Sequence, residues 1–375
     1  MATPARVVIV GAGHGGVAAA RQLRDRADEY IEVIMVERES TAEYLPGTIA
    51  TLLGETSPAH WRQRLALKGV DVRAGEVEEA SGEGVKLDRR WVGADAVIAA
   101  PGLSLDTGQL PNSSSEVYAF WDPRGATTAA KAVQELQGGI VAVVISSLPY
   151  RCPPAPYAMA MQLADHYRAQ DRGVRVLLTT PEEEPLAAIG GGVPGFLRSS
   201  CARAGVELLT DFQADLASLR DRELRSTRGM PISYDLALVI PPHARSPLLA
   251  GLPGQGPLVE VSSEFESTQS GLFVVGDAAE TPLPRAADAA AAGGRTAADA
   301  VLERLGLSSG QESHLPEPEC YVGHGGGFYS RISLRYPHGL PPTGEAEVTL
   351  EGPSESLAEG FEEAFTRWRA LRSED

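Results

Sequence analysis

A short glycine run near the N-terminus carries the plainest chemistry. It reads Gly11-Ala12-Gly13-His14-Gly15-Gly16, with the acid Glu37 about twenty residues past its last glycine. In this spacing Gly11 permits a tight turn, Gly13 lets the backbone approach a pyrophosphate, and Gly16 lets a helix pack closely on a sheet. The helix that follows offers free N–H groups to phosphate oxygens. Glu37 accepts hydrogen bonds from ribose hydroxyls, which argues against a 2'-phosphate and leaves NAD or the ADP half of FAD open. His14 faces the phosphates or an isoalloxazine ring, or is a tolerated turn residue. Arg38 begins a segment, running to Glu55 with a turn at Pro46-Gly47, that lies close to whatever the fingerprint binds.

Two further stretches repeat the motif of a strand delivering small or acidic residues. Asp95 to Ala100 ends at Pro101-Gly102, a Gly turn of the kind found beside a cofactor. Gly271 to Val275 delivers Gly276-Asp277 to a sheet edge. A carboxylate there takes the hydroxyls of a ribityl chain, with helix N–H groups nearby for phosphates. The alternative is a surface turn after a core strand. A thiol supplies the remaining chemistry. Cys152 sits among Pro149, Pro153, Pro154 and Pro156, and this density of prolines makes it a rigidly placed thiol, with a structural cysteine as the alternative. Cys201, in Ser199-Ser200-Cys201-Ala202-Arg203, reads as a packed helix residue. The scattered histidines have no zinc-like spacing, so no metal is expected.

The elements that must hold these residues alternate between strand and helix. Val7 to Val10, Val17 to Leu23 and Ile31 to Val36 make strand, helix and strand, and Val70 to Val72 returns to the same sheet. Trp61 to Leu67 reads as a short helix, and Glu76 to Asp88 as a hairpin. Leu103 to Arg124 reads as linker. A second unit follows, with a helix at Ala126 to Leu136, a buried strand at Ile140 to Ile145, a helix at Met159 to Tyr167 and strands at Val174 to Leu178 and Val206 to Leu209. Its first strand runs into the prolines instead of a second Gly-rich turn. Proline has no N–H, so this turn cannot make an amide-lined phosphate cradle, and the unit is expected to have lost nicotinamide-cofactor binding. Asp235 to Ile240 is a further strand, and Ala286 to Ala300 a close-packing helix. Near the C-terminus Leu357, Phe361, Phe365, Trp368 and Leu371 form one apolar helical stripe, which packs on the body or a partner subunit, or lies at a membrane interface.

Composition narrows the partners. The chain has 375 residues, a formal charge of -17 and only three cysteines. The charge excludes nucleic acid as an electrostatic partner, and the cysteines leave room for one redox pair or a free thiol. The N-terminus lacks the charged and apolar regions of a signal peptide, and no stretch reaches the ~18 apolar residues of a spanning helix. A cytoplasmic location is expected, with peripheral contact at the inner face of the membrane left open.

Together, the fingerprint, Tyr150-Arg151-Cys152-Pro153-Pro154-Ala155-Pro156-Tyr157, and Gly276-Asp277 with Pro284-Arg285-Ala286 resemble the two-dinucleotide-domain flavoproteins related to glutathione reductase. Within that group the sequence looks most like the sulfide:quinone oxidoreductase and flavocytochrome c sulfide dehydrogenase family. The resemblance implies an α/β fold of two Rossmann-like three-layer domains plus a small C-terminal region. It implies an FAD-binding domain split between 1–105 and 235–312, a degenerate NAD-binding-type domain at 106–234, and a C-terminal region at 313–375. Gly11, Gly13, Gly16 and Glu37 would hold the ADP half of FAD, with His14 and Arg38 as further cofactor-binding candidates. Gly102 would sit by the flavin, and Gly276, Asp277 and Pro284 by the ribityl and pyrophosphate.

The family's redox-active sulfurs correspond to Cys152 and Cys320. The resemblance implies that sulfide attacks a disulfide or polysulfide bridge between them, that the freed thiolate delivers electrons to the flavin, and that a quinone or a cytochrome takes them on. This asks for one low-pKa thiolate beside a positive group, and Arg151 is adjacent in sequence. Two departures stand out. Ala158 replaces the glutamate that relatives carry after Tyr157, and the segment Tyr44-Leu45-Pro46 lacks the early cysteine of the flavocytochrome branch, so neither covalent flavin nor that branch's early-to-late disulfide is expected. An NAD(P)H-dependent flavin reductase of the same fold, and a flavin-binding subunit feeding a protein carrier, are the alternative functions; a homodimer is left open.

Overall fold

The computed structural model describes residues 4–27, 30–111, 116–307, 314–341 and 344–373. Two parallel five-stranded sheets organise it. In the first, Ala5–Val10 lies between Ile31–Glu37 and Ala96–Ala99, with Val70–Ala74 and Leu272–Val274 at the edges. In the second, Gly138–Ile145 lies between Gly173–Thr179 and Leu236–Ile240, with Val206–Leu209 and Val117–Ala119 at the edges. The two sheets share one plan, in which the first strand of the βαβ unit is central. Val7, Val8 and Ile9 are wholly buried, as expected of a parallel strand covered on both faces.

The helices of the described residues are, in chain order, α1 His14–Ala27, α2 Thr48–Leu53, α3 Pro123–Glu135, α4 Ala155–Ala169, α5 Val193–Ala204, α6 Ala287–Arg304 and α7 Leu357–Ala370. Helices α1 and α6 meet backbone to backbone: a Cβ on Gly294 would come within 2.1 Å of the Gly15 carbonyl oxygen. Residues 319–354 form a separate antiparallel sheet of Glu319–Gly325, Phe328–Arg335 and Glu347–Ser354. This sheet lies on α4, where a Cβ at Gly323 would meet Gln162 at 2.6 Å.

Several expectations change. Trp61 to Leu67 is not a helix: Pro58–Trp61 is a 3₁₀ turn, and Arg62–Arg64 then pairs antiparallel with Thr41–Glu43. Proline at the start fixes that turn, and the extended chain beyond it finds an edge to bond. The hairpin at Glu76 to Asp88 is a three-stranded meander completed by Arg90–Gly93. The supposed linker after Leu103 contains strands Leu103–Leu105 and Val117–Ala119. Leu236–Ile240, placed beyond the boundary at 235, belongs to the second sheet, so the return to the first sheet comes after Ile240. Leu103–Leu105 and His243–Arg245 pair antiparallel, so the chain's exit from the first unit and its return lie side by side as one ribbon. The 312/313 boundary falls outside the described residues.

The apolar stripe of α7 packs inward. Phe365 and Trp368 are buried against Tyr44 and Trp61, with Phe361 at the margin, and Leu371 at the end of the stripe is exposed. The ring of Phe365 lies 5.1 Å from Tyr44 and 4.9 Å from Trp61, centre to centre. Among the described residues no helix is long and apolar enough to cross a membrane.

Candidate active site

The glycine run does what its spacing asks. Gly11 has φ +97°, and a Cβ there would strike the Ala100 carbonyl oxygen at 2.3 Å. A Cβ on Gly16 would lie 2.0 Å from the Gly11 oxygen, so the first turn of α1 can approach the loop only as glycine. Gly13 is different: a Cβ there meets nothing within 4 Å, leaving its backbone open to an incoming group. Gly102, with φ +65°, is equally open. Glu37 closes the strand end, its carboxylate accepting from Ala12 N at 2.7 Å and from Arg38 N at 2.8 Å. Arg38 thus meets the fingerprint through its backbone. His14 is the first residue of α1 and half-buried. Burial, and then the Arg372 guanidinium, lower its pKa to about 3, so it is a neutral imidazole.

The second cluster lies where the two sheets meet. Cys152 follows the central strand of the second sheet and sits at φ +55°, a left-handed conformation uncommon for a non-glycine residue. Its N–H donates to the Arg285 carbonyl at 3.0 Å, and its own carbonyl accepts from Ala155 N at 3.0 Å. The thiol is therefore anchored to the loop that follows Asp277 as well as to α4. Pro284 and Arg285 lie in that loop, which lines a small cavity with Gly276, Asp277, Phe265 and Ala286. Arg151, beside the thiol, donates to the Trp121 carbonyl, and its N–H donates to His243 Nε2 at 3.4 Å. Burial followed by Arg151 holds His243 down at about 4.

Charge at the thiol runs against the low-pKa expectation. Burial, then Asp277, push the Cys152 thiol up to about 11, against the opposing pull of Arg151 and of the hydrogen bond from Ala155. Arg151 is present, as its sequence position suggests, but it does not outweigh desolvation. Asp277 itself is raised by burial against Arg285 and Arg151. Cys320 comes from the C-terminal sheet, held by Glu319 N donating to the Asp288 carboxylate at 3.3 Å at the start of α6. Burial raises it strongly, and the next cause is Cys152. The two thiols, remote in sequence, share one electrostatic neighbourhood. All three cysteines are free thiols; Cys201 lies on the buried face of α5, pushed up to about 12 by burial alone.

The second unit has an acid the sequence reading passed over. Glu182 follows Gly173–Thr179 much as Glu37 ends its own strand, and the repeated architecture is the signal that finds it. Its carboxylate accepts from Tyr157 Oη at 2.9 Å, Thr180 Oγ1 at 3.0 Å and Leu186 N at 3.1 Å. Tyr157 is wholly buried at the start of α4. The acid that follows this strand is thus engaged internally by a buried phenol from the first turn of α4.

Residues 128–187, which include the proline-rich turn, match a family model described as the central part of the sulfide dehydrogenase (flavocytochrome c) flavoprotein chain. The whole chain is similar to the sulfide:quinone oxidoreductase of the hyperthermophilic bacterium Aquifex aeolicus, with a TM-score of 0.81, 16% identity, and coverage of 98% of this chain and 92% of that one. In sequence and fold this chain resembles that family. It is also similar to reduced CoADR-RHD from Bacillus anthracis (TM-score 0.66, 15% identity, 98% and 74% covered) and to a NAD-dependent persulfide reductase from A. fulgidus (TM-score 0.66, 15% identity, 98% and 77% covered). At these identities the structural likenesses establish the fold: the Rossmann-like two-unit architecture expected from sequence is the one found.

Proposed function

We propose that this chain is an FAD-dependent oxidoreductase that oxidises sulfide or a related sulfur compound through Cys152 and Cys320 and passes the electrons to a quinone. The observation that carries it is that both cysteines are tied to the entry of α6, Cys152 N bonding the Arg285 carbonyl and Glu319 N bonding the Asp288 carboxylate, with Asp277 acting on Cys152. The residues fit the cofactor. Gly13 and Gly102 leave open space where a dinucleotide must approach, Glu37 sits at the ribose position, and Asp277 lies at the end of the strand facing the fingerprint helix. When bound, FAD supplies the two-electron acceptor for the thiols and the donor to the quinone.

Loss of two electrons and two protons joins the thiols in a bridge. Sulfide adds to one sulfur and breaks the S–S bond, giving a persulfide on one cysteine and a thiolate on the other. Rejoining these as a trisulfide releases two more electrons and one proton. Arg151 stabilises the thiolate form of Cys152, and the double anchor of its backbone holds the sulfur in place between turnovers. Ala158 leaves the site without an acid at that position, so the proton has to leave by another group or by water.

A second reading concerns only the acceptor. The matched family model describes a flavocytochrome's flavoprotein chain, which favours a protein carrier over a quinone. One anaerobic experiment tests both. The purified flavoprotein is mixed with sulfide or with NADH, and the reduced form is then offered a quinone or cytochrome c. Bleaching by sulfide followed by fast reoxidation by quinone supports the proposal. Preference for cytochrome c supports the carrier reading, and rapid bleaching by NADH alone overturns the sulfur-substrate assignment.

A further inference from the structure

The largest fully buried side chain among the described residues is a cation near the C-terminus. Arg372 is 1% exposed. Its Nη1 donates to the Trp368 carbonyl at 3.1 Å, its Nη2 to the Ala12 carbonyl at 3.4 Å, and its Nε has no partner. The guanidinium lies 4.5 Å over the Trp368 ring. No carboxylate of the described residues pairs with it. A buried charge normally has a counter-ion, because desolvation penalises it heavily and uncharged hydrogen bonds restore only part of the loss. Burial and the neighbouring Arg21 lower its pKa to about 9, and Arg372 in turn acts on His14. Arg21 donates to the carbonyls of Ala370, Leu371 and Ser373, clamping this end of the chain to α1. Arg21 and Arg372 therefore lie together behind the glycine run, and among the described residues neither pairs with a carboxylate.

The anion that belongs at a glycine run followed by a helix N-terminus is a phosphate group. We propose that Arg372 is the counter-charge for the diphosphate of the bound dinucleotide, which makes the segment after α7 part of the cofactor site. The inference rests on the cofactor reading above. It accounts for an arginine whose partners among the described residues are two carbonyls and an aromatic face, with no acid. It also gives the inward-facing stripe of α7 a task, since Phe365 and Trp368 seat the helix that carries Arg372 to the loop.

The test separates diphosphate from nucleoside. Affinities of the apo-protein for ADP, adenosine and FAD are measured by calorimetry in the wild type, Arg372→Met and Arg372→Lys. Arg372→Met is expected to bind ADP and FAD at least tenfold more weakly and adenosine as the wild type does, with Arg372→Lys recovering part of the loss. The apo form of Arg372→Met is expected to melt no lower than the wild type, because an uncompensated buried charge has been removed. An unchanged preference for ADP over adenosine in both variants overturns the inference while leaving FAD binding intact. Equal loss of ADP and adenosine overturns it in favour of a structural role. If the wild type binds neither ADP nor FAD, the cofactor reading fails and the inference with it.

Discussion

The backbone N–H of Cys152 donates to the carbonyl of Arg285 at 3.0 Å. That bond joins the turn after the central strand of the second sheet to the loop that follows Asp277 of the first. It makes the position of Cys152 a property of both units, with the Asp277 carboxylate and the Arg151 guanidinium both acting on its sulfur.

The surroundings of Cys152 predict an unusual pH profile. Folding raises the thiol from its ordinary value of 9.0 to about 11, with burial as the main cause. Its alkylation by iodoacetamide should therefore titrate near 11. The stability from keeping it neutral is complete below pH 9 and is lost as pH rises through about 11. Asp277→Asn should speed alkylation at pH 8 and Arg151→Gln should slow it, about tenfold for each pKa unit moved. Changes in the same direction for both variants would contradict this electrostatic picture.

Two glycines of the fingerprint should fail in different ways. Gly16→Ala forces a Cβ to 2.0 Å from the Gly11 oxygen. The clash is with backbone, so the loop or α1 must shift. The loss should reach at least the overpacking cost of about 1–3 kcal/mol, more than the roughly 1 kcal/mol of helix propensity gained, and the melting temperature should fall clearly. Gly13→Ala meets no atom within 4 Å. It should leave the apo-protein's melting temperature unchanged and weaken flavin retention, read from free-flavin fluorescence after gel filtration.

Tyr157→Phe should cost about 1–3 kcal/mol in urea unfolding, because the bond to Glu182 is lost inside the protein. It should not create rapid reduction by NADH, since the ring stays buried in the core and the proline-rich turn is unchanged.

The stripe of α7 gives an internal control. Phe365→Ala, at a buried position in an aromatic cluster, should cost about 3–5 kcal/mol. Leu371→Ala, at an exposed position on the same stripe, should stay within about 0.5 kcal/mol. Similar losses at both would mean that Leu371 is covered in solution.

Local patterns revealed most of the architecture. Continuous apolar strands, the fingerprint and the α7 stripe each depend on residues close together in the chain, and each appears where its period places it. The pieces that were hidden depend on distant partners. Trp61 to Leu67 has helix-like spacing, yet Arg62–Arg64 bonds to the edge at Thr41–Glu43. The ribbon of Leu103–Leu105 with His243–Arg245 joins segments with no local signal of pairing. In the site, Arg151 was legible as a neighbour of Cys152, but the burial that outweighs it was not. Glu182 and Arg372 look like ordinary surface charges until the fold supplies Tyr157 for one and the Ala12 loop for the other.

The most direct test of the thiol chemistry is anaerobic stopped-flow reduction by sulfide, followed at the flavin band, for the wild type, Cys152→Ser and Cys201→Ser. Fast bleaching is expected in the wild type and in Cys201→Ser, with a loss of about a hundredfold or more in Cys152→Ser, the range expected when a nucleophile is removed. Bleaching of Cys152→Ser at the wild-type rate would contradict the thiol chemistry.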